Sequence, residues 1–456
     1  MSEREFDVVV LGAGPVGEVC AGRLAEGGLA VAIVEQHLIG GECSYYACMP
    51  SKALLRPAEL LAETERVPGV REAVTGGLDA DAVLRRRDEV IHDLDDSSQL
   101  PWLEERGIEV VRGRGALDGE RRVLVGPDAL TARRAVVVAT GSAAAMPPID
   151  GLAEARPWSN REATTAKQVP ERLLVLGGGA AGVELAQAWA SLGSSVELVE
   201  AESRVLVGEE QFASEQITDG LRSTGVEVRT GAKATAAGRG PEGQVSLGLE
   251  GGDELRGDEL LVAVGRRPRN DDIGLETAGV DPGGYLEVDD RLRVDGSDWL
   301  YAIGDVNGRA LLTHMGKYQA RIAADVILGK EAVATADRRG SPRVVFTEPQ
   351  LAAVGHTLAQ AKEKGIDARA VDVETSATAG ASFHGRNAPG TTRIVIDERR
   401  RVIVGATFVG PDIADFLHAA TVAVTGEVPL GDLWHAVPAF PTRSEVWLKL
   451  MEAYGL

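Results

Sequence analysis

Two cysteines lie close together near the start of the chain, within the segment Gly40–Lys52, which reads GGECSYYACMPSK. Cys43 and Cys48 are five positions apart. If the segment begins a helix, this spacing is slightly more than one turn, so the two sulfurs could form a disulfide with some distortion. A helix N-terminus would also lower the pKa of a thiol and favour its reactive thiolate. The spacing therefore predicts a redox-active pair.

Other interpretations of the cysteines stay open at this point. A zinc site is disfavoured because two thiolates need two more ligands, and no other Cys or paired His is near in the sequence. We therefore predict no metal site. The two thiols could also be unrelated and buried. The third cysteine, Cys20, follows a glycine-rich turn among Ala and Gly residues, which favours a role in core packing.

Two stretches of the chain repeat one pattern of apolar strand, glycine turn, helix and second strand: Phe6–Glu35 and Arg172–Glu200. Each contains Gly-x-Gly-x-x-Gly, and each ends on a Glu at the same distance from its first glycine. The glycines are Gly12, Gly14 and Gly17 in the first copy and Gly177, Gly179 and Gly182 in the second. The repeated pattern predicts two βαβ units and two dinucleotide sites.

The glycines and the acids of these motifs have a physical role in binding a dinucleotide. The first glycine permits the tight turn, the second lets a pyrophosphate approach the backbone, and the third lets helix and strand pack closely. Free N–H groups at the helix N-terminus then face the phosphates. Glu35 and Glu200 can accept a hydrogen bond from a ribose 2′-hydroxyl. Glu200 would repel the 2′-phosphate of NADP, so NADH is favoured over NADPH, although Arg204 could weaken this preference. A glycine turn that only closes a βα unit is the alternative.

Composition and charge exclude several classes of protein. The chain has 456 residues and a formal net charge of −21, which argues against a nucleic-acid binder and against an anionic membrane surface. No apolar run approaches the roughly 18 residues that a membrane helix needs. The N-terminus enters a strand almost at once and shows no secretory signal. We expect a soluble, cytoplasmic protein.

The rest of the chain contains further short elements. Asp81–Gly107 is charged and helical in pattern, and Thr230–Asp258 is typical of an antiparallel meander. Val136–Gly141 reads as a buried strand that ends in a turn. After about Arg339 the pattern changes to three strands followed by helices, which indicates a separate C-terminal domain.

The motifs GAGPVG, GGECSYYACMPSK, VVVATG, GGGAAGVE, YAIGD and VVFTEPQLAAVG occur in an order that resembles class I pyridine nucleotide-disulfide oxidoreductases. The resemblance covers essentially the whole chain. It implies an α/β fold with two Rossmann-like dinucleotide-binding domains plus a C-terminal α+β interface (dimerisation) domain, assembled as a homodimer. The implied domains are 1–148 (FAD-binding, first part), 149–265 (NAD(P)-binding), 266–338 (central, with the second part of the FAD-binding domain) and 339–456 (interface).

The resemblance also implies roles for individual residues. Cys48 would face the flavin and Cys43 would exchange with substrate, while Lys52 would lie by flavin N5 and pair with Glu184. The residues implied to bind FAD are Gly12, Gly14, Gly17, Glu35, Lys52, Thr140, Gly141, Asp305 and His314. Those implied to bind NADH are Gly177, Gly179, Gly182, Glu200 and Gly265. His314 belongs to a segment that would place a helix N-terminus near the flavin C2 carbonyl, but it could instead cap or pack a helix.

One motif departs from the family pattern. The usual C-terminal signature, His-Pro-Thr-x-x-Glu, supplies an acid–base His from the partner subunit and a Glu that orients it. Here the matching stretch begins with Phe440 and ends with Glu445. Without that base we expect poor turnover of lipoamide or glutathione, unless His435 replaces it. For Glu445 we expect a capping box with Thr442 at the start of the last helix.

The sequence favours an NADH-dependent flavoprotein that reduces an unidentified disulfide, or oxidises a dithiol, through the cysteine pair. The alternatives are a reductase of quinones or other non-thiol acceptors, and a non-catalytic binding subunit. A carboxylase-like reaction is disfavoured because Glu445 is present and the cysteine loop differs from that of the family's carboxylase. Mercury reduction is disfavoured because no cysteine follows Cys48.

Overall fold

A computed structural model of the chain describes residues 3–385, 388 and 390–456. The chain divides into two compact units, each assembled from separate segments. Unit 1 consists of Met1–Pro50, Asp88–Ala145 and Arg266–Arg338, and unit 2 of Ser51–Arg87, Met146–Gly265 and Arg339–Leu456.

The helices are, in chain order, α1 (Pro15–Glu26), α2 (Gly41–Tyr45), α3 (Cys48–Arg66), α4 (Ala80–Val90), α5 (Leu100–Glu104), α6 (Asn160–Thr165), α7 (Ala180–Ser191), α8 (Gln211–Ser223), α9 (Thr313–Ile327), α10 (Ala336–Arg339), α11 (Leu358–Glu363), α12 (Leu417–Thr425), α13 (Leu430–Trp434) and α14 (Val446–Tyr454). The strands are β1 (Glu3–Leu11), β2 (Val31–Glu35), β3 (Glu109–Arg112), β4 (Gly115–Leu117), β5 (Arg122–Val125), β6 (Asp128–Val138), β7 (Ser142–Ala144), β8 (Arg172–Leu176), β9 (Ser195–Val199), β10 (Glu227–Arg229), β11 (Ala234–Arg239), β12 (Val245–Leu249), β13 (Glu254–Gly257), β14 (Glu259–Val262), β15 (Arg266–Pro268), β16 (Leu300–Ala302), β17 (Arg343–Val345), β18 (Gln350–Gly355), β19 (Ala368–Glu374), β20 (Thr391–Asp397) and β21 (Val402–Gly410).

Unit 1 is built on a sheet in the order β3-β2-β1-β6-β5-β4, with β16 also paired to β6. The pairs among β3, β2, β1, β6 and β16 are parallel, and their near-continuous apolar runs are buried on both faces. Leu11, Val138 and Ala302 lie side by side at the carboxyl ends of β1, β6 and β16. The turns that follow these three strands therefore meet at one edge of the sheet, where α/β proteins bind their ligands.

Unit 2 contains a second parallel sheet, in the order β10-β9-β8-β14. Leu176, at the end of β8, lies beside Val199 and Val262, so the second glycine turn also leaves the carboxyl edge of a parallel sheet. Strands β11, β12 and β13 pair antiparallel in sequence order, which confirms the meander predicted for Thr230–Asp258.

The C-terminal part of unit 2 is an antiparallel sheet in the order β17-β18-β21-β20-β19, followed by helices. Buried side chains of α12 and α14 share a core cluster with β18, β20 and β21. Two Rossmann-like sheets and an antiparallel sheet with helices confirm the predicted fold class. The domain boundaries drawn from the sequence stay a prediction.

The segment Asp81–Gly107 is less helical than its charge pattern indicates. Helices α4 and α5 are separated by two short 3-10 helices, His92–Leu94 and Ser97–Gln99. His92, Asp93 and Leu94 have positive φ angles, which interrupt the α-helical hydrogen bonding between the two segments. Within the described residues, no helix is long and apolar enough to cross a membrane.

Two phenylalanines of unit 2 provide a matched test of the C-terminal core. Phe408 of β21 is 1% exposed and its ring centroid lies 6.1 Å from that of Trp447, whereas Phe383 is 68% exposed. We expect Phe408→Ala to destabilise the protein by about 3–5 kcal/mol, because it leaves a cavity in the core. Phe383→Ala should change stability by less than about 0.5 kcal/mol. Denaturant unfolding of both variants tests this, and equal losses would contradict the packing described here.

Candidate active site

The two predicted redox cysteines lie on two helices rather than one. Cys43 belongs to α2, whereas Cys48 is the first residue of α3. Helix α2 starts after Gly40, whose φ of 99° is left-handed, and it ends at Tyr46, whose φ of −134° is not helical. The spacing was assessed for a single helix that begins in this segment, and the structure has two helices instead. The break between α2 and α3 lets the sulfurs approach each other without distorting a continuous helix.

Cys43 and Cys48 are both in the reduced thiol form, and Cys43 lies within hydrogen-bonding distance of Cys48. The pKa of Cys43 is raised, chiefly by this hydrogen bond, then by burial and by the repulsion of a second negative charge beside Cys48. The pair therefore resists losing both protons, as expected for two sulfurs close enough to exchange a bond. Cys20 is fully buried, and burial raises its pKa to about 12, in agreement with a packing role.

The N-terminus of α9 meets the cysteine pair. Thr313, the first residue of α9, lies with its Oγ1 3.4 Å from Cys48 Sγ, and its hydroxyl lowers the pKa of Cys43. Among the described residues no side chain caps the start of this helix, so its N–H groups and the positive end of its dipole remain available. His314, the next residue, is exposed.

The first glycine turn brings α1 directly onto the end of β1. Gly12 has a φ of +103°, and a Cβ on Gly17 would lie 1.9 Å from the carbonyl oxygen of Gly12, so only glycine fits there. Glu35 holds the turn: its Oε2 accepts the Ala13 N–H at 2.8 Å and its Oε1 accepts the His37 N–H at 2.8 Å. The acid predicted to bind a ribose is thus already oriented by the backbone.

The surroundings of this turn fit FAD. The Thr140 hydroxyl is buried and has no hydrogen-bond partner within the described residues, and an added Cβ on Gly14 or Gly141 would meet nothing within 4 Å. No side chain caps the N-terminus of α1, which leaves its first N–H groups free for phosphate. An unpaired buried hydroxyl is unfavourable unless a ligand supplies its partner.

Asp305 follows β16, whose carboxyl end lies at the same edge of the sheet as the first glycine turn, and it belongs to a small polar network. Ser142 Oγ donates a hydrogen bond to Asp305, and Arg266 Nε donates to Ser142 Oγ at 2.6 Å. Arg266 is also 4.0 Å from Glu42, the residue before Cys43. The predicted FAD ligand Asp305 is therefore connected through Arg266 to the cysteine segment.

The second glycine turn repeats the geometry of the first. Gly177 has a φ of +111°, and a Cβ on Gly182 would lie 1.9 Å from the Gly177 carbonyl oxygen. Glu200 Oε2 accepts the Gly178 N–H at 2.5 Å, and its Oε1 accepts the Glu202 N–H at 2.8 Å. The uncapped N-terminus of α7 and the open space at Gly179 fit the pyrophosphate of a nicotinamide dinucleotide.

Arg204 and Gly265 are the other two residues that the sequence analysis connected with the second dinucleotide. Arg204 Nη2 donates to the carbonyl oxygens of Val207 at 2.8 Å and Glu209 at 3.0 Å, whereas its Nη1 has no hydrogen-bond partner within the described residues. Gly265, at the end of the segment after β14, has a φ of +142° and open space where a Cβ would lie.

Lys52 and Glu184 form an ion pair within unit 2. Lys52 Nζ donates to Glu184 Oε2 at 2.6 Å, and Glu184 Oε1 accepts the Phe346 N–H at 2.9 Å. The ammonium also lies 4.8 Å from the centroid of the Phe346 ring. Glu184 is buried and its two oxygens are both engaged, so it holds Lys52 in one orientation.

The C-terminal motif differs from the expectation. Thr442 Oγ1 donates to the Ala439 carbonyl at 2.6 Å, and Glu445 Oε2 accepts the Gly380 N–H at 3.3 Å. No side chain caps the helical turn that follows Thr442, so the predicted capping box is wrong. Phe440 is 77% exposed. His435 is also exposed and follows α13.

Sequence reasoning did not identify Thr313, Ser142 or Arg266 as members of the site. Thr313 is 265 positions from Cys48, and Arg266 is 124 positions from Ser142. The one available signal was the position of Thr313 directly before His314, in the segment that was expected to start a helix.

Comparison with known proteins agrees with this geometry. A family model described as pyridine nucleotide-disulphide oxidoreductase matches residues 6–324, and its dimerisation domain matches residues 341–451. A dihydrolipoyl dehydrogenase of Thermus scotoductus is 32% identical over 99% of this chain and 97% of its own length. A mercuric reductase of Staphylococcus aureus is 29% identical over 97% of this chain and 81% of its own. The structure of RclA, a HOCl-induced flavoprotein disulfide reductase from Escherichia coli, has a TM-score of 0.86 and 27% identity, and covers 98% of this chain and 99% of that one.

Two glycines of the second turn separate folding from dinucleotide binding. A Cβ on Gly182 has no room, whereas a Cβ on Gly179 meets nothing within 4 Å in the protein itself. Gly182→Ala should therefore lower both the thermal unfolding midpoint and the affinity for NADH. Gly179→Ala should leave the unfolding midpoint within about 2 °C, since its effect on stability is small. It should nevertheless weaken NADH binding about tenfold or more, because its methyl group occupies the space that the pyrophosphate needs.

NADH titration and thermal unfolding of both variants check this prediction. Unchanged affinity for NADH in Gly179→Ala would contradict the assignment of the second glycine turn to the nicotinamide dinucleotide.

Proposed function

The chain belongs to the pyridine nucleotide-disulphide oxidoreductases, and from this premise we propose that it uses NADH to reduce a disulfide other than lipoamide or glutathione. At the level of the family, it is an FAD-dependent NAD(P)H oxidoreductase with a redox-active pair, Cys43 and Cys48. Its dimerisation domain supports a homodimer. The observation that carries the proposal is the close approach of the two thiols beneath the N-terminus of α9.

The overall reaction converts NADH, a proton and a disulfide into NAD⁺ and two thiols. FAD, when bound, supplies the transfer of the electron pair between the nicotinamide and the sulfurs. Cys43 and Cys48 then alternate between the dithiol and the disulfide as the external disulfide is reduced. Glycine turns and their acids hold the two dinucleotides, and the Lys52–Glu184 pair keeps one ammonium in a fixed orientation.

The preference for NADH is supported by the second glycine turn. In the family pattern an acid at the end of the second strand faces the adenosine ribose, so the Glu200 carboxylate would repel the 2′-phosphate of NADPH. Arg204, the nearby cation that could offset this repulsion, has one of its nitrogens, Nη2, engaged by the Val207 and Glu209 carbonyls. We propose that the protein works in the cytoplasm on a small-molecule or protein disulfide.

The replacement of the family's acid–base His supports an unusual acceptor. A placed base contributes about 10²–10⁴ in rate, and Phe440 has no group that can move a proton. The exposed His435 and the Glu445 that binds Gly380 are not arranged as an oriented pair in the described residues.

The replacement of this His by Phe440 also favours a second candidate, a reductase of quinones, because electron transfer from flavin to a quinone needs no base beside the thiols. Since its relatives are enzymes, the binding-subunit alternative loses support.

Removing one sulfur distinguishes the two candidate functions. In Cys48→Ser, NADH-dependent reduction of every disulfide should fall to the rate without enzyme, because no internal disulfide can form. Reduction of a quinone should persist in this variant if it occurs at the flavin. Cys20→Ala is the matched control, since it removes a sulfur that is fully buried and should keep both activities. Disulfide turnover by Cys48→Ser at the parent rate would refute the proposed route.

Restoring the histidine tests the meaning of Phe440. Phe440→His should raise turnover of dihydrolipoamide and recover part of the ~10²–10⁴-fold contribution of a placed base. Phe383→His introduces the same change at another exposed phenylalanine and should have no effect. Steady-state rates with NAD⁺ and dihydrolipoamide measure the difference. If the unmodified protein already oxidises dihydrolipoamide at the rate of an efficient enzyme, the expectation of a different acceptor is wrong.

A further inference from the structure

A lysine of α9 lies close to the cysteine pair. Lys317 follows Thr313 by four positions, and residues at this spacing share one face of a helix. Because Thr313 Oγ1 lies 3.4 Å from Cys48 Sγ, this face of α9 is directed towards the cysteine pair. Lys317 is half-buried and interacts electrostatically with Cys43, whose ionised form it favours.

The packing of α1 on α9 fixes where this lysine lies. A Cβ on Gly316 would lie 2.5 Å from a Val16 methyl group, so the two helices are in close contact at the residue before Lys317. Further along, Arg23 of α1 donates to Asp325 of α9 at 2.6 Å. The two helices therefore run side by side in the same direction, and Glu18 of α1 lies within electrostatic range of Lys317.

We propose that Lys317 is a positioning residue for the disulfide exchange: its positive charge stabilises the thiolate of Cys43, and Glu18 on the neighbouring helix opposes it. The inference rests on the proposed function, because it concerns the thiol that meets the external disulfide. Lys317 belongs to the same unit as the cysteines and provides part of what the replaced histidine would provide, a positive charge beside the exchanging sulfur. It does not act as a base.

The step that benefits is the attack of Cys43 on the external disulfide. The Cys43 thiolate forms a mixed disulfide with one sulfur of the substrate and releases the other as a thiolate. Cys48, once deprotonated, attacks the Cys43 sulfur, closes the internal disulfide and releases the second thiolate. Two electrons leave the dithiol, and the protons that the two cysteines lose balance those that the two products gain. A lower pKa for Cys43 increases the fraction that can begin this sequence.

Glu18 makes the effect of Lys317 depend on pH. Burial raises the pKa of Glu18 to about 7, Lys317 opposes this rise, and Glu35 on β2 adds to it. Below that pKa Glu18 is neutral, and the charge of Lys317 acts on Cys43 without opposition from Glu18. Above it the Glu18 carboxylate offsets the ammonium, so the support for the thiolate weakens as pH rises. Cys48 and Thr313 also face Cys43, and Glu18 further faces Tyr45.

The test measures the reactivity of Cys43 alone. In a Cys48→Ser background, the only other thiol is Cys20, whose burial makes it unreactive. The rate of alkylation by iodoacetamide is followed from pH 6 to 10. Adding Lys317→Met should raise the apparent pKa of Cys43 and slow alkylation at pH 7 about three- to tenfold, while Lys317→Arg should restore the parent profile. Adding Glu18→Gln should have the opposite effect above pH 7 and speed alkylation.

Arg321→Met is the matched control, because it removes one positive charge from an exposed position one turn further along α9. It should leave the alkylation profile unchanged. If Lys317→Met has the parent profile while circular dichroism shows a folded protein, or if Arg321→Met shifts the profile as much, the proposal is overturned. Alkylation requires neither NADH nor an acceptor, so loss of disulfide turnover with a normal lysine effect would refute the proposed function and leave this inference standing.

Discussion

The rest of the structure depends on one close contact that is made twice, between the start of a helix and the turn that leads into it from the preceding strand. At Gly17 and again at Gly182, a single added carbon would lie 1.9 Å from a backbone oxygen of the turn. Because both positions are glycine, each helix starts directly over the carboxyl end of its sheet. The uncapped N–H groups, the anchored acids and the open space at the second glycine all follow from that contact. Without it neither dinucleotide would have a defined place.

Steric contacts define the glycine turns, whereas the ionisation of the cysteine pair depends on the charges and dipoles around the two thiols. Two thiols held together resist double ionisation, and burial of Cys43 adds to the cost. The start of α9 supplies a hydroxyl and a helix dipole, and Lys317 supplies a full charge. The family's usual solution places a histidine beside the thiols from the partner subunit, whereas Phe440 offers none. The helix dipole and the charge that act on the two thiols therefore come from the same unit that carries the cysteines.

The sequence predicted the features that are encoded locally and missed those that depend on distant segments. Both glycine turns, their acids and the antiparallel meander were visible because each depends on neighbouring residues. Thr313 was invisible because nothing local links it to a cysteine 265 positions away. The capping box at Thr442 failed for a related reason: Ala439 and Gly380 provide partners that the motif alone does not reveal. The cysteine spacing was assessed for a single helix because the left-handed conformation at Gly40 and the break at Tyr46 cannot be read from spacing.

The way Glu200 is held has a consequence for altering coenzyme choice by engineering. Its two oxygens accept hydrogen bonds from the N–H groups of Gly178 and Glu202. The side chain therefore stabilises the conformation of the loop and also carries a negative charge. A neutral or basic residue in place of Glu200 would remove the negative charge that repels a phosphate. It would also leave the Gly178 and Glu202 N–H groups without their acceptor and so destabilise the turn. A substitution of Glu200 would thus require a second substitution that restores these two hydrogen bonds, and the same reasoning applies to Glu35, which accepts the Ala13 and His37 N–H groups at the first glycine turn.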